Sequence, residues 1–402
     1  MKNYQWTAFF LIRAVDDDSV NAAMDLLQDL LEIQIGEDIA LILCMSIYKS
    51  DLTWLLSGVK RDKEDTDKKE HLTTVFYRIA SRKDALGKWR TRMKFIYEKK
   101  DFDITNAQDI SYYFKRFVLS NHQADRYMLL TWDHGNGYGI FSNNETGTSG
   151  SGKTLMMDEM STAIQQAFGA RKVDLMVMMD CDMLTIDTCY ALRDTVKYLV
   201  ASESTVDAVG YNYRAIFKKL AGNPSVSSKK LATYVITSYD APLDIEVGDK
   251  SGTAIFACDL TSTGIYYAMC KKLFDLLLKA DKGLMAQVKA AFDGAYYIDG
   301  DIPLLDFRSF LKVLEKLVDP AGKVALLCDL MLEAHGTIVL KGYVGSIAKE
   351  EAPSFDLEPE GFSFYFPLGS YLADKPGQFL QTSFAKAFKM RALLLRFQPP
   401  LN

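Results

Sequence analysis

Four short, nearly unbroken apolar runs constrain this chain more than any other feature. They lie at residues 7–14, 39–47, 127–132 and 175–179. Runs of this length that do not alternate with polar residues read as strands buried on both faces. The segments between them place apolar residues at helical spacing. Ala23, Met24, Leu27, Leu30 and Leu31 follow the first run, Ile110, Tyr113, Phe114, Phe117 and Val118 precede the third, and Met156, Met160, Ala163, Ile164 and Ala167 precede the fourth. Asp18 or Ser19 is expected to cap the first helix, and Asn106 with Asp109 to form a capping box at the second. Residues 54–59 and 72–79 flank a mixed-charge run at 60–69 and read as a two-stranded excursion, with 93–97 a further strand. The expectation is an α/β fold: a mostly parallel central sheet with helices on both faces, plus a smaller α+β C-terminal lobe. Residues 1–250 would form the core and 251–402 the lobe, which returns a strand to the core. Within the lobe, 254–260 and 337–344 read as strands, 265–278 and 304–317 as helices, and 361–367 as a late aromatic strand.

With 402 residues, 49% of them hydrophobic, the chain can bury a large core. Its formal net charge is -5, and Lys and Arg read as spread along the sequence, so no nucleic-acid partner is expected. The six cysteines, at 44, 181, 189, 258, 270 and 328, include no Cys-x-x-Cys pair, and the four histidines are scattered. Free thiols, no metal centre and no cofactor are therefore expected; Ca2+ stays open as an alternative, although the sequence shows no ligand loop of the EF-hand type. No apolar run approaches the ~20 residues of a membrane span, so no membrane partner is expected. The first apolar stretch, 8–12, runs into Arg13 and three aspartates, unlike a secretory signal. As written the chain reads as cytoplasmic, or as secreted or periplasmic if a leader has been trimmed.

In parallel sheets the ligand site lies outside the carboxyl ends of the strands. His134 and Cys181 each fall just past such an end, and the single helix between them would make their two strands parallel. Both side chains should then open onto one rim. A thiol protease needs a thiolate, an imidazole to move its proton, and donors for the oxyanion. Gly135 leaves its N–H unobstructed, and the N–H of Cys181 is the natural second donor. Against this, a lone histidine in a turn is more often structural, and most buried cysteines are inert. Cys189, Cys258, Cys270 and Cys328 sit inside apolar patterns and are read as core.

Residues 132–137 (WDHGNG) resemble the Trp-Asp-His-Gly-x-Gly segment of clostripain-family peptidases. Residues 179–183 (MDCDM), followed by Ala191-Leu192-Arg193, Ala201-Ser202-Glu203 and Gly210-Tyr211-Asn212-Tyr213, are similar to that family's nucleophile segment and the loop after it. The opening strand, its acidic turn and the late aromatic strand match in the same order. The resemblance implies a caspase-like fold, peptide or protein substrates, His134 as general base and Cys181 as nucleophile. One position departs: where the family carries an Asp that binds a basic P1 side chain, this chain has Met179, with Asp180 and Asp182 flanking the cysteine. Because strand side chains alternate faces, an Asp shifted by one residue points elsewhere. Asp207 is the candidate replacement, and Met179, Asp180 and Asp207 are the candidate substrate contacts for a P1 Arg or Lys. The family also matures by cutting itself after a basic residue between the histidine and the cysteine. Lys153 is the only basic residue between His134 and Arg171, so Lys153–Thr154 is the expected autolytic bond, turning a monomer into a two-chain enzyme.

Two rivals arise. Residues 147–154 (GTSGSGKT) fit a phosphate-binding P-loop, with Asp180 as a Mg2+ anchor at the end of the next apolar strand. A P-loop, however, follows its strand directly and opens a helix, and here polar residues 142–146 intervene. The other rival is an inactive peptidase fold serving as a binding module, against which the presence of both His134 and Cys181 argues.

Overall fold

The computed structural model describes residues 3–57, 72–100, 102–141, 153–207, 210–240, 250–298, 303–346, 358–366 and 376–397. The chain opens with β1 (Tyr4–Ala14), α1 (Asp17–Glu32), β2 (Ile39–Tyr48), α2 (Lys49–Ser57) and the hairpin β3 (Leu72–Lys83) and β4 (Trp89–Lys99). It continues through α3 (Ala107–Tyr113), β5 (Ala124–Trp132), the short pair β6 (Gly139–Ile140) and β7 (Leu155–Met156), α4 (Met157–Phe168), β8 (Val173–Met179), α5 (Ile186–Leu192) and β9 (Val196–Ser202). Then follow α6 (Tyr213–Gly222), α7 (Ser228–Asp240), β10 (Ala254–Asp259), α8 (Thr263–Leu277), α9 (Lys282–Gly294), β11 (Tyr297–Ile298), β12 (Leu304–Asp306), α10 (Phe307–Leu317), α11 (Lys323–Ile338), β13 (Val339–Val344) and β14 (Ser363–Tyr365).

Nine strands form one sheet in the order β13-β10-β9-β8-β5-β1-β2-β3-β4. Its five central strands, β9 to β2, run parallel, and each edge adds two antiparallel strands. The mostly parallel sheet expected from the apolar runs is thus present. Every residue of β2 and β8 is buried, as strands covered on both faces require. Side chains alternate between two cores: Phe9 and Leu11 of β1 pack with α3, α4, α5 and α8, while Ala8, Phe10 and Ile12 pack with α1, α6 and α7. From the segment after residue 250, β10 and β13 extend the same sheet beside β9. The aromatic strand β14 joins a small sheet with β12 and ties back to the turn after Cys181, Ser363 N–H donating to Leu184 O at 3.0 Å.

Several local readings change. Asp16, not Asp18 or Ser19, caps α1: its carboxylate accepts Ser19 N–H at 2.8 Å and its own N–H donates to the Ser19 hydroxyl at 3.2 Å. Residues 54–57 are helical, not extended, because Leu55 buries against the core from α2 and so short an apolar run fits either period; Val59 and the charge run 60–69 lie outside the described residues. Asn106 does cap α3, accepting Gln108 N–H at 2.8 Å, but Asp109 turns away to Asp103 N and Lys99, so no capping box closes. Residues 304–306 form β12, and Asp306 then caps α10 through Ser309 N–H at 2.5 Å. Thr337 and Ile338 end α11, and β13 starts at Val339. The late aromatic strand is Ser363–Tyr365; Pro367 lies outside the described residues.

Candidate active site

Strands β5 and β8 are parallel neighbours whose last paired residues are Trp132 and Met179. His134 and Cys181 each stand two residues beyond that shared rung. They therefore leave the same rim of the sheet from strands ~4.8 Å apart. On the other side of β5, Ile12 of β1 pairs with Trp132, which brings the turn at Asp16 to the same rim. There Asp16 Oδ2 lies 3.5 Å from His134 Nε2. Three neighbouring strands thus deliver Asp16, His134 and Cys181 to one edge.

The histidine turn is fastened from below. Asn136 accepts Gly139 N–H at 2.8 Å through its side chain, and Gly137 O accepts the Thr185 hydroxyl at 2.7 Å. Beneath it, Arg13 and the buried Asp133 pair at 3.4 Å. Burial pushes the Asp133 carboxyl up to about 6, although the Arg13 guanidinium pulls the other way. At Gly135 a Cβ would stand 2.1 Å from Cys181 O and 2.7 Å from Met183 Cγ. The two turns are in backbone contact there, and only glycine permits it.

His134 is largely exposed, and its hydrogen bond to Asp16 raises its pKa against the opposing effect of burial. Burial pushes Asp16 up, but the hydrogen bonds from His134 and Ser19 N–H outweigh it and hold the carboxylate at about 2. The half-buried Cys181 faces the loop after β9: its Sγ accepts Val206 N–H at 3.3 Å and lies 3.8 Å from Val206 O. Burial, with smaller contributions from Asp182 and Asp180, pushes this thiol up to about 11 although the Val206 N–H draws it down. At rest it is a protonated thiol. Asp182, next in sequence, has φ +61°, a left-handed conformation costing a non-glycine residue about 1–2 kcal/mol. Its N–H donates to Ser204 O at 3.1 Å, so the turn bearing Cys181 is held against the 203–207 loop.

The candidate substrate contacts separate. Asp180 is wholly buried and accepts the Thr131 hydroxyl at 2.5 Å, and burial raises its carboxyl well above the usual range. It faces the interior, away from the rim. Met179 is buried under the loop, where a Cβ at Gly210 (φ +67°) would lie 2.0 Å from its Sδ. Asp207, half-buried, belongs to the same loop, and its carbonyl accepts Gly210 N–H at 2.8 Å. Lys153 is exposed and Thr154 buried, immediately before β7. Residues 147–152 of the P-loop-like segment lie outside the described residues. Its last two residues, however, lead into a strand paired with β6, and the helix starts only at Met157. That order, together with an interior Asp180, disfavours the nucleotide reading. Among the described residues no group of three His, Cys, Asp or Glu side chains is arranged to hold a metal ion, and no helix is long and apolar enough to cross a membrane.

Reading along the chain missed Asp16 as a partner of His134 and Val206 as a backbone partner of Cys181. Only the strand order brings either pair together.

A model of the clostripain family matches residues 64–343. No curated protein matches the chain. Among solved structures it resembles a secreted C11 cysteine protease from Bacteroides thetaiotaomicron, "iotapain", at 16% identity and TM-score 0.66, covering 96% of this chain and 100% of that one. An inactive zymogen C11 protease from Parabacteroides distasonis is similar at 14% identity and TM-score 0.66, over 96% and 99% of the two chains. The Bacteroides thetaiotaomicron protease in complex with an irreversible peptide inhibitor is similar at 14% identity and TM-score 0.65, with the same coverage. At these identities the likeness is one of fold.

Proposed function

The chain belongs to the clostripain family and is a cysteine protease, and from that premise we propose that Cys181 is its nucleophile and His134 its general base. The observation that carries this reading is the shared rung, Trp132 beside Met179, from which both residues step onto one rim with Gly135 against the Cys181 carbonyl. A peptide entering along the rim displaces the Val206 backbone from the sulfur. His134 takes the thiol proton as Sγ bonds to the scissile carbonyl carbon, and the N–H groups of Gly135 and Cys181 receive the oxyanion. As the C–N bond breaks, His134 returns the proton to the leaving amine and a thioester remains. Water, deprotonated by His134, then attacks the thioester and restores the thiol. Peptide hydrolysis by wild type, His134→Ala and Cys181→Ala tests the assignment.

Asp16 acts as a positioning residue through His134. Asp16→Asn keeps an N-cap residue for α1 but removes the charge beside the imidazole. Because Asp16 raises the His134 pKa, the acid limb of kcat/KM is expected to move to lower pH in this variant. The maximal kcat should fall about 10-fold, within the range of an imperfectly placed general base. A pH profile superimposable on wild type contradicts the role.

Asp207 is the acid we assign to a basic P1 side chain, since Asp180 is buried and Met179 lies under Gly210. Asp207→Ala should raise KM for peptides with Arg or Lys at P1 by about 10-fold, roughly one charged contact, and leave a neutral P1 unchanged. Equal or better turnover of the neutral peptide by wild type rules out the basic preference.

Self-processing after Lys153 follows from the same site. Lys153 is exposed, and β7 anchors the chain just beyond Thr154. Denaturing gels should show fragments of 153 and 249 residues in wild type and one intact chain in Cys181→Ala. Identical intact chains in both proteins exclude cleavage at this bond.

A further inference from the structure

We propose that the β3–β4 hairpin is an exosite that takes an acidic, extended segment of a protein substrate as a tenth strand, an inference that rests on the peptidase reading. The charge of the chain is unevenly placed. Residues 78–100 hold nine Lys and Arg against two acids, in a chain whose formal net charge is -5. Folding stacks these cations: Arg82 pairs across the strands with Arg90, Ala80 with Arg92, and Arg78 with Lys94, all on one face of the hairpin. Like charges placed directly opposite repel. Arg90 reaches Asp84 at 3.3 Å and Arg78 reaches the Tyr4 hydroxyl at 2.9 Å, but among the described residues no carboxylate pairs with Arg82, Arg92 or Lys94, all exposed.

The second observation is the edge itself. β4 is 11 residues long, ends the sheet, and pairs only with β3 among the described residues. Phe95 and Tyr97 are exposed along it, at 52% and 41%. An uncovered edge presents a row of N–H and C=O groups that another strand satisfies, and charged residues are the usual means of preventing this. Here the charged residues paired across this face are Arg78, Arg82, Arg90, Arg92 and Lys94, so the face repels a second copy of β4 while attracting a strand of opposite sign. The backbone row selects a polypeptide over a nucleic acid or a lipid surface, and the cations select an acidic one.

The geometry sets the reach. Through Arg78, Ile42, Phe9 and Leu129, the rung of Lys94 runs across to Met176, five residues short of Cys181. Five strand spacings and five residues of rise place the ribbon roughly 30 Å from the thiol. A substrate held at both places needs about nine extended residues between the scissile bond and its acidic segment.

The test compares a short fluorogenic peptide with the same peptide joined to a segment of alternating Glu and Val, through Gly/Ser linkers of about 3 or about 15 residues. The long-linker substrate should show a KM at least about 10-fold below that of the short peptide, as tethering predicts. That gain should vanish in R82E/R92E/K94E and in ~0.5 M salt, with short-peptide hydrolysis equal in both proteins. No gain, a gain that survives in the triple variant, or an equal gain with the short linker overturns the proposal. Fluorescence anisotropy of the labelled Glu/Val segment on Cys181→Ala protein measures the ribbon without catalysis. If wild type hydrolyses no peptide but this binding is present and lost in R82E/R92E/K94E, the peptidase assignment has failed and the ribbon stands. Tighter binding of a single-stranded oligonucleotide of equal charge overturns the choice of a polypeptide.

Discussion

Cys181→Ala is expected to lose peptide hydrolysis by a factor of about 10⁴ or more, since removing the nucleophile of a covalent mechanism leaves only binding and oxyanion stabilisation. The protein should otherwise be intact. The thiol is half-buried, and among the described residues its hydrogen-bonding contacts are with the Val206 backbone, so its truncation should change stability by no more than about 1 kcal/mol. His134→Ala should show a comparable loss, because the resting thiol, pushed up to about 11, holds its proton at neutral pH. The double variant should be hardly worse than either single one, as befits two groups that act as a unit. Initial rates on a fluorogenic peptide, with melting temperatures for each variant, check all three statements.

Gly135→Ala is expected to lower kcat/KM by about 10² to 10³, the cost of misplacing an oxyanion donor. The added methyl cannot be accommodated by a side-chain adjustment. Its nearest neighbour is the Cys181 carbonyl at 2.1 Å, so the histidine turn and the cysteine turn must separate. The same overpacking should cost about 1–3 kcal/mol of stability. At Gly137 the nearest neighbours of an added Cβ are the Leu304 and Thr185 side chains at 3.4 Å and beyond, although its φ of +82° still disfavours a side chain. Gly137→Ala should therefore cost stability with a smaller loss of activity, and the contrast between the two variants isolates the contact with Cys181.

Much of this site was legible in the sequence. Runs such as 39–47 and 175–179 declare strands buried on both faces, and a single intervening helix makes β5 and β8 parallel without further information. The rim shared by His134 and Cys181 follows from those two facts. So does the inward turn of Asp180, because side chains alternate along a strand. What stayed hidden depends on contacts distant in sequence. Three aspartates follow β1, and nothing local says that Asp16 is the one that caps α1 and meets His134; that follows from β1 lying beside β5. The contact of Val206 with the sulfur is made by backbone atoms, which carry no residue-specific signal. α2 misled for a different reason: Leu52, Trp54 and Leu55 fit a short strand or a helix equally, and packing against α1 and β2 decides. The basic hairpin was overlooked because its cations are separated by apolar residues along the chain and stack only once β3 and β4 pair.

The pairing of imidazole and thiol is tested most directly by the rate at which a peptide-like electrophile alkylates Cys181 at neutral pH, in wild type and in His134→Ala. Such a reagent occupies the rim as substrate does and reports thiol activation without needing turnover. Labelling is expected at Cys181 in wild type and about 100-fold slower in His134→Ala, the lower end of general-base assistance. Equal rates in the two proteins, or modification at another cysteine, would contradict the pairing.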